Sequence, residues 1–355
     1  MIKNVYFFLV PYYRPEQANY QHELIALAEG FKDLGINYYA NLDYWKINLE
    51  GEFLFKKDSC VGPEDCDLVL VQSEYFLENK KLPSYFYYPK RKNIVVFIDA
   101  ADGWRTPGMK DYKYCDLVLR CHYNTHYKLG SNVLPWAFGL TKRLLESLKK
   151  DVPLPKKKKR IVVNFRNNQS VRRLAYQRII ERLKELLEVD SSLDVATNEA
   201  VEKLYWEQTG RRHYSTYYER LSNSLACAAF GGYFTPNLKV NLNSLSQRAL
   251  YKLIHSFGFK TGTVSQFDSW RFWEALLAGC ITLHVELSKY GCCLPVMPEN
   301  GKHYLGFDFD NLNKQLISLK EILNTKQSAP SGREWVLENY SPVATAKRLL
   351  TLVER

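Results

Sequence analysis

The chain has 355 residues, more than one core usually fills, so two domains are expected. It is 46% hydrophobic and 25% charged, which excludes a largely disordered chain, and no apolar run reaches the ~20 residues of a membrane helix. The 49 Lys/Arg and 38 Asp/Glu give a net charge of +11, most of it after residue 150, where 29 basic residues face 20 acidic ones; an anionic partner of the second half is expected.

The opening segment, VYFFLV (5–10), meets Pro11 with no small-residue cleavage site and reads as a buried strand, not a signal peptide. Residues 20–35 place Leu24, Leu27, Ala28 and Phe31 on one helical stripe that stops at Gly35. The segments INYYANL, DLVLVQ (67–72), NIVVFIDA (93–100), DLVLRC (116–121) and NVLPWAF (132–138) follow as near-continuous apolar strands. Such strands separated by helices mean a parallel sheet covered on both faces, hence a Rossmann-like doubly wound domain over 1–150. DVPLPKKKKR (151–160) reads as a solvated linker entering the strand IVVNF (161–165), and α/β alternation resumes over 151–340. There the helix 172–188, the strands 224–230, 280–286 and 304–309, and a helix 310–323 capped by Asp310 are expected. A last helix, 341–355, has Ser341 as its cap and Pro342 at its first position. The eight cysteines form no C-x-x-C pair and several lie in apolar runs, which suits reduced thiols in a cytoplasmic protein.

The most informative stretch is SQFDSWRFWEALLAGCITLHV (265–285). Asp268 or Ser269 caps a helix that ends near Ala278, with Gly279 as its stop. The helix is apolar nearly all round except for Arg271 and Glu274, three residues apart on one face. A helix start opening on a crevice at strand ends is a ready anion site. The physical reading is a diphosphate held there by Ser269, Arg271 and the helix amides, with Glu274 accepting from ribose hydroxyls. An internal salt bridge between Arg271 and Glu274 is the rival reading.

This string, S-W-R-F-W-E-A-L-L-A-G-C-I, resembles the donor-site signature of two-domain GT-B glycosyltransferases, nearest to the exostosin-like and spore-maturation-like branches. Residues 160–355 share the resemblance; residues 1–150 share architecture only. It implies an α/β GT-B fold, two Rossmann-like doubly wound domains facing a cleft, with the helix 341–355 crossing back to the first. It also implies a nucleotide sugar as substrate, with no cofactor and no essential metal. Many retaining members carry Glu eight residues before the helical Glu; here that position is Gln266, which favours inversion. A long insertion, 232–262, holds its own helix at about Ser246–Phe257.

The turn after IVVNF offers Arg166 and Asn167 as further donor contacts, because ligands of parallel sheets gather at such strand ends. Arg172 and Arg173 read as solvated. In the first domain Asp99 ends a buried strand and Asp102 lies in the next loop; either is placed to deprotonate an acceptor hydroxyl. Tyr12, Tyr13, Arg14 and His122 are the candidate acceptor contacts, and His126 with His122 is an alternative base pair. Asp308 and Asp310 mimic a metal-binding D-x-D, but the capping role explains Asp310 better. The expected partners are a nucleotide sugar and an acceptor that is a saccharide, a lipid-linked molecule, a peptide or a small molecule; no transmembrane segment and no nucleic acid are expected. The alternatives are a nucleotide-sugar epimerase of the same fold and a non-catalytic binding protein on a transferase scaffold.

Overall fold

The computed structural model describes residues 2–11, 20–102, 109–196, 198–235, 244–256, 262–325 and 331–354. The first half carries β1 (Asn4–Phe8), β2 (Asn37–Ala40), the short hairpin β3 (Tyr44–Lys46) and β4 (Phe53–Phe55), then β5 (Leu68–Gln72), β6 (Ile94–Asp99), β7 (Leu117–Arg120) and β8 (Val133–Pro135). Six of these form one all-parallel sheet in the order β2-β1-β5-β6-β7-β8. All five residues of β5 and all four of β7 are buried, as strands covered on both faces must be. The strand order reverses between β1 and β5, so a crevice opens at their carboxyl ends.

The second half carries β9 (Lys158–Val162), β10 (Glu188–Asp190), β11 (Ser224–Ala228), β12 (Tyr233–Thr235), β13 (Thr263–Ser265), β14 (Ile281–Val285) and β15 (Leu305–Phe307). Its sheet is again parallel, in the order β10-β9-β11-β14-β15, and reverses between β9 and β11. The strands β12 and β13 form a separate antiparallel ribbon. Two doubly wound sheets of one design therefore stand in the chain, and no described helix is long and apolar enough to cross a membrane.

Several contacts tie the halves together, among them the following. The helix Pro342–Val353, capped by Ser341, whose hydroxyl accepts from the Ala344 amide at 3.4 Å, packs on the first-half helix His22–Asp33. Gly30 permits this approach, because a Cβ there would lie 2.1 Å from the Pro342 carbonyl oxygen. The Asn124 amide donates to the carbonyls of Val264 and Tyr290 at 3.0 and 2.9 Å. The Arg143 guanidinium lies between Trp45 and Tyr205, 3.9 and 3.8 Å from the two ring centroids.

The basic run is exposed at Lys156, Lys158 and Lys159 but is not wholly a solvated linker. Lys158–Arg160 belong to β9, and Lys157 is 3% exposed. Its ammonium donates to the carbonyls of Ser222 at 2.5 Å and Ala278 at 2.9 Å. Ala278 closes the helix Trp270–Leu277, so Lys157 neutralises the negative end of that helix. The expected helix 172–188 is also shorter. Helical backbone runs from Ser170 to Leu183 with a π turn at Tyr176–Ile180, while Glu188–Asp190 leave it to pair with β9. The helix expected from 310 starts at Leu312, and Asp310 is not its cap: its amide donates to Asp308 at 3.0 Å.

Candidate functional site

A cleft of about 1290 Å³ runs between the two sheets and is lined from both halves. On the second-half side it meets the carboxyl end of β9, continued by Val163–Arg166, and the start of the helix Trp270–Leu277. Ser269, Trp270 and Arg271 line it there. Ser269 occupies the cap position, yet its hydroxyl donates to the Ala229 carbonyl at 3.4 Å and does not cap the helix amides. Asp268 does not cap it either. Its carboxylate accepts from the Phe138 amide at 3.0 Å and the Trp273 indole at 2.6 Å. The positive end of the helix is thus left open toward the cleft.

Five guanidinium groups line the same wall: Arg166, Arg172, Arg211, Arg212 and Arg271. Among the described residues Arg166, Arg172, Arg212 and Arg271 have no carboxylate at ion-pair distance. Arg271 donates through Nε to the Asn164 carbonyl, and Arg172 through Nε to the Phe230 carbonyl at 3.1 Å. Burial, then the charge of Arg271, lowers the Arg172 guanidinium to about 10. Burial likewise lowers Arg212, whose guanidinium sits 4.6 Å from the Trp270 ring centroid. Like charges held together with no carboxylate in ion-pair contact suit a surface for an anion.

The first-half wall is opposite in character. Tyr20, Glu23, Gln72, Glu74, Ala100, Ala101, Asp102 and Phe138 line it among others, with no lysine or arginine of that half among the described lining residues. Asp102 is 77% exposed and its Oδ1 lies 3.6 Å from Nε2 of the buried His122. The Nδ1 of His122 accepts from the Asp268 amide at 3.1 Å, which puts the ring proton on Nε2, toward Asp102. Burial works to raise the Asp102 carboxyl, but His122, Gln266 and the charge of Arg212 outweigh it and hold it below the usual carboxylate range. Gln266 lines the cleft with a left-handed φ of 55°, a conformation that costs a non-glycine residue energy and often occurs at working sites.

Of the expected site residues, Ser269, Arg271, Arg166 and Asp102 share the cleft. Asp99 does not reach it: fully buried, it is ion-paired with Arg120 and accepts from the Tyr112 hydroxyl. An aspartate held in that way stabilises the strand ends and has no path to an acceptor. Glu274 makes no ion pair with Arg271. It is 5% exposed, is not among the described residues that line the cleft, and accepts from the Tyr217 hydroxyl at 2.8 Å. Asn167 is exposed and points outside the lining, while His122 lies beneath it against Asp102. Tyr12, Tyr13 and Arg14 lie outside the described residues, as does part of the insertion 232–262; its helix runs Leu245–Ser256. His126 binds the Thr263 hydroxyl at 2.5 Å and serves the contact between the halves.

Arg172 and the loop Gly210–His213 were not read as part of the site. Gly-Arg-Arg-His in a polar loop is a weak signal alone, and only the fold brings it opposite the Trp270 helix. Asp308, the D-x-D residue, instead accepts from Asn311 at 2.9 Å and faces Lys289 at 3.6 Å. Among the described residues no cluster of three or more His, Cys, Asp or Glu is placed to hold a metal.

No protein-family model and no curated protein matches the chain. Solved structures do. An alpha-glucosyltransferase solved with UDP and a 13-mer DNA containing a HMU base is 9% identical, with a TM-score of 0.56 and 99% of each chain covered. A glycosyltransferase from Rickettsia africae ESF-5 is 11% identical, with a TM-score of 0.52, over 99% of this chain and 97% of its own. The chain therefore has the GT-B fold expected above: two Rossmann-like, doubly wound sheets facing a cleft.

Proposed function

We propose that the chain is a glycosyltransferase that moves a sugar from a nucleoside diphosphate donor to an acceptor. One observation carries the reading: an uncapped helix start and the guanidiniums of Arg172, Arg212 and Arg271 converge on one cleft at the strand ends of the second half. That is an arrangement for two linked phosphates, and its charge is placed where a leaving diphosphate gains charge as the glycosidic bond breaks. The donor contacts in this reading are Arg166, Arg172, Ser269, Arg271 and the amides of the Trp270 helix.

The acceptor enters from the first half. Its hydroxyl oxygen attacks the anomeric carbon, the bond from that carbon to the diphosphate oxygen breaks, and the hydroxyl proton passes to Asp102. His122 positions that carboxylate from below. Gln266 has no carboxylate with which to capture the sugar covalently, which supports a single displacement with inversion. The reaction needs no resident cofactor, and arginine with helix amides takes the place a metal would fill. Free thiols at all eight cysteines support a cytoplasmic setting. DNA belongs among the acceptors tried, because a protein of the same fold was solved with DNA.

The test is incubation of the full chain with UDP-, GDP- and ADP-sugars, with and without acceptors. Acceptor-dependent release of nucleoside diphosphate supports the reading. An isomerised nucleotide sugar formed without any acceptor would make the chain an epimerase, and no turnover or binding of any donor would make it a non-catalytic protein.

A further inference from the structure

The first-half wall of the cleft poses a question of its own. Gln72 ends β5 at the point where the strand order reverses, and it lines the cleft. It is 1% exposed, its Nε2 donates to Glu23 Oε2 at 2.5 Å, and among the described residues its Oε1 has no hydrogen-bond donor. A buried amide oxygen left unsatisfied costs about 1–3 kcal/mol, so it points to a missing group. Glu23, 2% exposed, and Glu74 flank it in the same cleft wall. The Glu74 carboxylate accepts from the Ser73 hydroxyl at 3.2 Å. Burial, then the charge of Glu74, raises Glu23, and burial with the charges of Asp99 and Asp102 pushes Glu74 up to about 7. The Cys121 thiol, a weak donor, lies 3.9 Å from Glu23 Oε1; the Gln72 oxygen and the Glu74 carboxylate remain as acceptors, and no described lysine or arginine of the first half lines the cleft beside them.

We propose that Glu23, Gln72 and Glu74 form a subsite for an ammonium group carried by the sugar acceptor. An ammonium supplies three donors and one positive charge, enough for the Gln72 oxygen and one oxygen of each carboxylate. A hydroxyl supplies one donor and no charge to offset an ionised carboxylate. The subsite rests on its own geometry, and its assignment to the acceptor rests on the glycosyl-transfer reading.

The test compares glucosamine with glucose, which differ by one amine in place of one hydroxyl. Ligand-detected NMR titrations are run on the full chain with and without UDP. Glucosamine is expected to bind at least tenfold more tightly, and Glu74→Gln and Glu23→Gln each to bring the ratio toward one. Unchanged far-UV circular dichroism shows that the variants remain folded. A ratio within twofold for the native chain, whether both sugars bind or neither does, overturns the proposal, as does a preference that survives in both variants. Absence of UDP binding would instead count against the donor site and leaves the sugar comparison readable.

Discussion

The Nε2 of His122 faces Oδ1 of Asp102 across 3.6 Å, with the imidazole buried and the carboxylate open to the cleft. The histidine is fixed from the other side by the Asp268 amide, so its remaining proton has one direction to point. Asp102 is thus a carboxylate exposed in the cleft with His122 behind it, and the proposed mechanism makes it the base. Asp102→Asn is expected to lower kcat by about 10²–10⁴-fold, the usual range for a general base. Nucleoside diphosphate affinity should change less than threefold. Steady-state kinetics with a titration of the diphosphate checks both; native turnover in the variant would remove the base assignment.

Glu29 predicts a pH dependence of stability. It is 5% exposed and accepts from the Lys142 amide at 2.7 Å. Burial pushes its carboxyl up from 4.5 to about 7, against the pull of Lys142. The folded state then holds a proton that the unfolded chain releases, so the contribution is full below about 4.5 and is lost as pH rises toward about 7. The loss is at most about 3 kcal/mol. Thermal unfolding of the native chain should fall between pH 5 and pH 8, and Glu29→Gln should reduce that slope without abolishing it, because Glu74 acts in the same direction. An unchanged slope would contradict the account.

Lys157 separates a buried lysine from its exposed neighbours. Lys157→Met keeps the stem but leaves the carbonyls of Ser222 and Ala278 without their donor. A loss of about 1–3 kcal/mol is expected. Lys156→Met and Lys159→Met, on exposed positions of the same run, should stay within about 0.5 kcal/mol of the native chain. Denaturant unfolding of the three variants distinguishes a structural lysine from a solvated tract.

Much of the scaffold could be read from residue pattern. The runs VYFFLV, DLVLVQ and NIVVFIDA announce buried parallel strands, and Ser341-Pro342 announces the last helix; each folds close to where its pattern falls. Lys157 misled because a charge run reads as solvent-facing whenever its carbonyl partners are distant in sequence, here at 222 and 278. The site was partly legible for the same kind of reason. Arg271 announces itself through a polar break in an apolar helix. Arg172, Arg212, Gln72 and Glu74 owe their place in the cleft to tertiary approach alone, and no spacing along the chain records it.

Gly30 tests the packing of the last helix. In Gly30→Ala the new methyl meets backbone, the Pro342 carbonyl oxygen, and the Ala346 side chain at 2.7 Å. Because backbone cannot swing aside, about 1–3 kcal/mol of destabilisation is expected. Ala346→Gly added to it should restore only part of the loss, since the carbonyl contact remains. Full rescue in the double variant, measured by thermal unfolding, would place the obstacle elsewhere.

The central claim is that the open start of the Trp270 helix and its guanidiniums hold a diphosphate, and calorimetric titration measures this directly. UDP, GDP and ADP are titrated into the native chain, Arg271→Ala, Arg172→Ala and the exposed control Arg173→Ala. At least one diphosphate is predicted to bind the native chain and Arg173→Ala alike, and to bind the other two variants about 10–100-fold more weakly, the worth of one charged hydrogen bond. No binding of any diphosphate, or equal binding by all four proteins, would contradict the account.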